Sequence, residues 1–273
     1  MADTNPAADD HLAQVVSSFA SAPDQRAREV MQAAVCHLHE FAREVGLTRE
    51  EWASGIAFLT AVGQRCDEVR QEFVLLSDTL GLSMLLEILA DQPAPGATEA
   101  TVLGPFYVDG APERSFGESI VDDPATGGDP LVLCGAVRDL DGAPVAGATI
   151  DVWQVQPNGL YDIEEDPARR NLRGRFRTGR DGGYELRTVR PVDYTVPHDG
   201  PVGAMLRAAG RAVWRPAHIH LKVSAAGFAP LVTHVFDEES PRLREDVVFG
   251  VRHSIVARLG GPECRFDIAL APA

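Results

Sequence analysis

From the N-terminus to about Asp91, apolar residues recur at helical spacing. Val30, Ala34, Leu38, Phe41 and Val45 fall at three- and four-residue steps, which lays an apolar stripe along one helix face. Gly46 follows as a C-cap, and Thr48 with Glu51 three residues later reads as a capping box that opens the next helix. EFVLLSDTLGLSMLLEILA, from Glu72, is apolar on more than one face and reads as a helix pair or a broken helix in the core. Its end, MLLEILADQP, fits a core or dimer face better than a helix lying on a membrane surface.

After the Pro/Ala/Gly connector DQPAPGATEA (residues 91–100) the period changes. LVLCGAVRDL, ATIDVWQV, YELRTV, HIHLKVSAAG and LVTHVFD are short runs rich in β-branched and aromatic residues, separated by Gly, Asp and Pro clusters. Such spacing predicts an antiparallel β-sandwich or barrel. Helices first and strands second predict an α+β chain with a helical region over residues 1–98 and a β-sandwich over 99–273. No internal repeat or low-complexity tract interrupts either part.

The formal charge of −15 argues against a nucleic-acid partner, because phosphate contacts need clustered Lys and Arg. Cys36, Cys66, Cys134 and Cys264 form no CxxC pair, so reduced thiols in a cytoplasmic protein are expected. MADTNPAADD is acidic and lacks the apolar stretch of a signal peptide, and no run approaches the roughly 18 apolar residues of a membrane helix. Together these predict a soluble protein with no membrane partner.

Candidate chemistry concentrates in RPAHIHLKV, residues 215–223. Side chains alternate along a strand, so His218 and His220 point to one side and can share a metal. An HxH pair alone also suits zinc hydrolases, copper proteins and cupins. LKVSAAG supplies neither the Asp and His ligands of the first nor the glutamate of the last. The remaining candidate ligands on nearby turns are Tyr161, in QPNGLYD, and Tyr194, in RPVDYTVPHDGPVG, whereas Tyr107 and Tyr184 read as structural. Phenolate is a hard anionic donor, so two phenolates with two imidazoles favour ferric iron. Two phenolates and a hydroxide would balance the charge of Fe(III), and the bound cation would pull each phenol far below its usual pKa of about 10.

With those residues in view, the chain resembles the intradiol ring-cleaving dioxygenases. The resemblance runs through TVLGPFYVDGAP, GAVRDLDGAPVAGATIDVWQVQPNGLYD, RGRFRTGRDGGYELRTVRPVDY and RPAHIHLKV, covering nearly everything from Glu72 onward. It implies that Tyr161, Tyr194, His218 and His220 bind non-haem Fe(III) with a hydroxide as fifth ligand. It also implies a β-sandwich catalytic domain and an N-terminal helical domain that pairs two subunits, with lipid held between those helices in some members. Within the family, LLSDTLGLSMLL, TVLGPFY and VDYTVPHDGPVGAML resemble the branch that cleaves hydroxyquinol (benzene-1,2,4-triol), with the catechol and chlorocatechol branches next. His234, in LVTHVFD, stands where the catechol branch carries glutamine.

The resemblance implies an aromatic diol or triol and O2 as substrates and, for hydroxyquinol, a 3-hydroxy-cis,cis-muconate or its keto tautomer maleylacetate as product. Tyr194 is then the phenolate that leaves the metal and accepts a substrate proton, while Tyr161 stays bound. Arg215, three residues before His218, would favour the electron-rich form of the substrate ring. Leu75, Asp78, Val102, Leu103, Gly104, Pro105, Pro197, His234 and Val248 correspond to substrate-cavity positions, and Asp78 could accept a bond from a third hydroxyl. A catechol-cleaving enzyme of the same fold and a non-catalytic sandwich that binds small molecules are the competing readings. A zinc hydrolase fits worse, since nothing supplies its general base.

Overall fold

The computed structural model describes residues 5–90, 95–166 and 168–273, so the first part of the expected connector lies outside the described residues. The chain forms two compact units, one up to Thr60 and one from Ala61 onward. The first unit holds α1 (Pro6–Ser18), α2 (Gln25–Glu44) and the start of α3 (Arg49–Gln64). Asn5 and Asp24 cap α1 and α2 by accepting from the backbone N–H groups of Ala8 and Ala27. Gly46 ends the second helix with a positive φ of 61°, as a C-cap glycine should. The Thr48–Glu51 capping box forms in both directions, Thr48 N donating to Glu51 Oε2 at 2.9 Å and Glu51 N donating to Thr48 Oγ1 at 3.2 Å. The stripe on α2 is open to solvent, with Val30, Leu38, Phe41 and Val45 all exposed.

The apolar segment from Glu72 is a broken helix, α4 (Glu72–Thr79) and α5 (Leu82–Ala90), and both lie in the second unit. Gly81, at φ 76°, makes the break. Among the described residues no single helix is long and apolar enough to cross a membrane, and these two bend by 71° where they meet. α4 buries Leu75, Leu76 and Asp78, but α5 buries only Met84 and leaves Leu82, Leu85, Leu86 and Leu89 exposed. Of the core-or-dimer-face expectation, the core part therefore holds for one side of α4 and for Met84, while Phe73, Val74 and the leucines of α5 are exposed.

The strands are β1 (Pro130–Asp139), β2 (Thr149–Gln154), β3 (Arg173–Arg177), β4 (Gly183–Val189), β5 (Tyr194–Thr195), β6 (Trp214–Arg215), β7 (His218–Ser224), β8 (Leu231–Asp237), β9 (Val256–Ala257), β10 (Glu263–Arg265) and β11 (Ile268–Leu270). α6 (Asp162–Glu165) and α7 (Pro201–Ala208) interrupt them. One sheet runs β3-β2-β7-β8-β9; in the other β1 pairs with β4, β10 and β11; β5 and β6 form a separate ribbon. The sheets are mixed rather than purely antiparallel: β10 and β11 pair parallel to β1, and β9 pairs parallel to β8. These strands arrive after long connections, which free a strand to run in either direction, whereas the tightly linked β7–β8 hairpin must be antiparallel.

Alternation decides what β7 shows to each side. Ile219, Leu221 and Val223 enter the large apolar cluster with Ile150 and Val152 of β2, Val235 of β8, and Leu131, Leu133 and Leu186 from the β1 sheet. At about 1.5–3 kcal/mol for each fully buried aliphatic side chain, those three residues alone fix which face of β7 turns inward. His218 and His220 are thereby placed on the opposite face.

Candidate metal centre and substrate cleft

Three local devices deliver the four candidate ligands. His218 and His220 sit in mid-sheet, where β7 pairs His220 with Trp153 of β2 and with His234 of β8. The Trp153 indole stacks on His220 with ring centroids 4.5 Å apart, which holds that imidazole's plane. Tyr194 begins β5, and the ribbon register sets it opposite Arg215 of β6. Tyr161 precedes α6 and is fixed at both ends of its peptide: its N–H donates to Glu164 Oε2 at 2.8 Å, and its C=O accepts from Glu164 N at 3.1 Å. The next residue, Asp162, takes Nε of the buried Arg173 at 2.8 Å and 2.9 Å on its two oxygens. That ion pair fastens the Tyr161 turn to β3.

The four side chains converge. Tyr161 Oη lies 3.0 Å from Tyr194 Oη and 2.8 Å from His220 Nε2, and the two histidine Nε2 atoms are 3.0 Å apart. All four residues are buried. Pro216 O can only accept, so the 2.7 Å contact at His218 Nδ1 makes that nitrogen the donor and leaves the Nε2 lone pair facing the centre. Burial, reinforced by the Arg215 charge, keeps His218 neutral, and burial with the neighbouring His234 and His218 does the same for His220. Burial also pushes both tyrosine hydroxyls upward; Tyr194 adds to the effect at Tyr161, and Arg215 opposes it at both. Two phenol oxygens and two imidazole nitrogens crowded together away from water form an electron-rich cluster that a cation would stabilise, and the cation would reverse the upward shift of the phenols. The donor set therefore fits a metal, and its hard oxygens fit a highly charged one.

His234 is wholly buried beside the pair, its ring 4.5 Å from that of His218 and 4.1 Å from that of His220. Potential ligand atoms of the three histidines lie within 4.8 Å of one another. Arg215 is buried as well and donates from Nη1 to Tyr194 Oη at 3.3 Å and to His218 Nε2 at 3.2 Å. Burial disfavours its charge, but Asp246 and then Tyr194 more than offset this and hold the guanidinium protonated.

A cleft opens onto Tyr161, Tyr194, Arg215 and His220, walled by Leu75, Asp78, Gly104, Pro105, Pro197 and Val248. Of the other expected cavity residues, Val102 is buried outside this lining, Leu103 is exposed and also outside it, and His234 stands beside the histidine pair. Gly104 has φ 74°, a conformation that calls for glycine, and it packs close to the His220 ring, where a Cβ would stand at an ordinary contact distance of 3.6 Å. Phe106 and Val196 also line the cleft and were not anticipated, although each adjoins a residue that was. Phe106 stacks on Tyr161 at 4.6 Å. Phe106, Val196 and Pro197 are shared with an outer cavity of about 740 Å³, which gives the cleft an approach from solvent.

The chain is similar to known proteins over most of its length. Residues 102–269 match the family model described as Dioxygenase, and residues 24–98 match that described as Catechol dioxygenase N terminus. The chain is 47% identical over 245 residues to the hydroxyquinol 1,2-dioxygenase of Rhizobium sp. (strain MTP-10005), covering 89% of this chain and 82% of that protein. It is 44% identical over 281 residues to the hydroxyquinol 1,2-dioxygenase of Nocardioides simplex, covering 97% and 95%. Among solved structures, hydroxyquinol 1,2-dioxygenase from Pseudomonas putida DLL-E4 superposes with a TM-score of 0.89 at 43% identity, over 98% of this chain and 99% of that one.

Proposed function

Since the chain belongs to the intradiol dioxygenase family, we propose that it cleaves hydroxyquinol between its adjacent hydroxyls with O2, at a non-haem Fe(III) held by Tyr161, Tyr194, His218 and His220. The product is 3-hydroxy-cis,cis-muconate, or maleylacetate after tautomerisation, in the breakdown of aromatic compounds. One observation carries the reading: two phenol oxygens and two imidazole nitrogens meet at contacts of 2.8 to 3.0 Å at the floor of a cleft.

Ferric iron, when bound, would supply a Lewis-acid centre that acidifies the diol hydroxyls and draws electron density from the resulting dianion, opening a ring carbon to O2. Tyr194 Oη is the proton acceptor for a substrate hydroxyl, and Arg215, 3.3 Å away, stabilises negative charge at that oxygen. Tyr161, held between Phe106 and the Asp162–Arg173 ion pair, keeps its place through the cycle. Leu75, Pro105, Pro197 and Val248 give the aromatic ring an apolar slot and exclude water. Asp78 faces the same slot and takes the third hydroxyl.

The exposed stripe of Val30, Leu38, Phe41 and Val45, with Trp52, Ile56 and Leu59, supports pairing of two copies through the helical region (residues 1–98), with a lipid chain as a further occupant of that apolar surface. Free thiols at Cys36, Cys66, Cys134 and Cys264 support a cytoplasmic enzyme.

The test is product identification. Iron-loaded protein given hydroxyquinol or catechol in limiting amounts should take up one O2 per ring and favour the triol. Red-brown colour should accompany iron, from tyrosinate bound to Fe(III). Preference for catechol would move the assignment to the catechol branch, and a colourless protein that stays inactive after ferric loading would favour the non-catalytic sandwich.

A further inference from the structure

One carboxylate behind the site has no place in the mechanism so far. Asp246 is only 8% exposed and lies on the loop that carries the cleft residue Val248. Its Oδ1 accepts from Arg215 Nε at 3.1 Å and from Val248 N at 3.3 Å. Its Oδ2 accepts from Gly250 N at 2.9 Å and from Arg215 Nη2 at 3.5 Å. For the loop to curl around its own carboxylate in this way, Phe249 takes a φ of 60°, a left-handed conformation unusual for a bulky side chain. Arg211 braces the curl from outside, donating to Val247 O at 3.0 Å and to Thr79 O at 2.5 Å at the end of α4, with its guanidinium 5.0 Å from the Phe249 ring centroid.

A guanidinium is a rigid planar fork, so gripping two of its nitrogens dictates where the third points. Asp246 occupies the Nε/Nη2 edge, and the nitrogen left over is Nη1, which meets Tyr194 Oη and His218 Nε2. We propose that Asp246 is a positioning residue: it aims Arg215 Nη1 at the Tyr194 oxygen and, through Val248 N, ties that aim to the cleft wall. The proposal rests on the ring-cleavage reading for its kinetic consequence but not for its geometry.

The test is a double-mutant cycle with a structural arm. Asp246→Asn keeps the volume but puts an amide in place of a charged acceptor. It is expected to lower kcat about tenfold or more while shifting KM for the triol less, and to add no further loss in an Arg215→Gln background. Gly250→Ala is a second variant that leaves every charge in place. Its Cβ would stand 2.9 Å from Thr101 Oγ1, 3.1 Å from Arg215 Nη2 and 3.2 Å from Asp246 Oδ2, so these groups must give way, and the same loss of kcat is expected. Crystal structures of both single variants should show Nη1 beyond hydrogen-bond range of Tyr194 Oη. Losses that multiply in the double variant, or an Nη1 that stays near 3.3 Å from Tyr194 Oη, overturn the proposal. Wild-type protein that cleaves no diol would sink the functional reading instead, and the structural arm would still decide the role of Asp246.

Discussion

Asp78 offers the sharpest separation between a triol and a diol. It is 3% exposed on α4 and faces the cleft with Leu75, Arg215 and Val248. Burial raises its pKa, while a hydrogen bond from Ser83 and the charge of Arg215 work against that rise. A hydrogen bond to such a buried group contributes about 1.5–3 kcal/mol when the group is charged. Removing it therefore costs roughly 10- to 150-fold in kcat/KM, at about 1.4 kcal/mol for each factor of ten. Asp78→Ala should lose that factor on hydroxyquinol and less than about threefold on catechol, which presents no third hydroxyl. Arg215 keeps its ion-pair partner, Asp246, so the variant does not strand a cation. Oxygen uptake on both substrates, from one preparation of known iron content, gives the two ratios. Equal losses would mean that Asp78 supports the site as a whole and does not read the substituent.

Three further outcomes follow from the geometry. Tyr161→Phe removes one of the four convergent donors; the colour of the iron-loaded protein should weaken and shift, Tyr194 remaining as the one tyrosinate, and ferric affinity should fall by roughly 100-fold or more, since even residues that only orient ligands cost 10- to 100-fold. Asp162→Asn leaves Arg173 buried and unpaired (side chains 0% and 2% exposed), so urea denaturation of the metal-free protein should register a loss of about 3–5 kcal/mol; a loss below 1 kcal/mol would contradict the role given to that ion pair. The Cys264 thiol is pushed up to about 11 by burial, with neighbouring Cys134 adding to it, so it stays protonated until the pH nears that value. At pH 8 its alkylation should be roughly 100-fold slower than that of a free thiol with its pKa near 8.5, rising steeply with pH, and mass mapping of labelled peptides reads the difference.

How much of this was legible in the chain depends on how far apart the partners lie. The helical period, the Gly46 stop and the Thr48–Glu51 box are local signals, and each appears where the pattern puts it; that the segment from Glu72 breaks was expected, whereas the break's position at Gly81 comes from the structure. The convergence of Tyr161 and Tyr194 with the histidine pair was read partly from residue chemistry and partly from family resemblance. Asp246 was not readable: it meets Arg215 across 31 positions through a loop whose curl has no short-range signature. Nor was the parallel pairing of β9, β10 and β11, since a strand of two or three residues carries too little alternation to declare a direction. Phe106 was hidden for another reason. Beside Gly104 and Pro105 it looks like a turn residue, and only the fold turns it onto Tyr161.

The position of β7 has a bearing on how such a protein can change over generations. With β2 bonded along one edge and β8 along the other, the histidine-bearing strand cannot slide by a single residue without turning both imidazoles into the sandwich interior. The cleft walls proposed to meet the substituents of the ring belong to α4 and to the loop around Val248, which no sheet confines. New appetites for differently decorated aromatics can therefore be acquired by amending the latter while the former stays untouched.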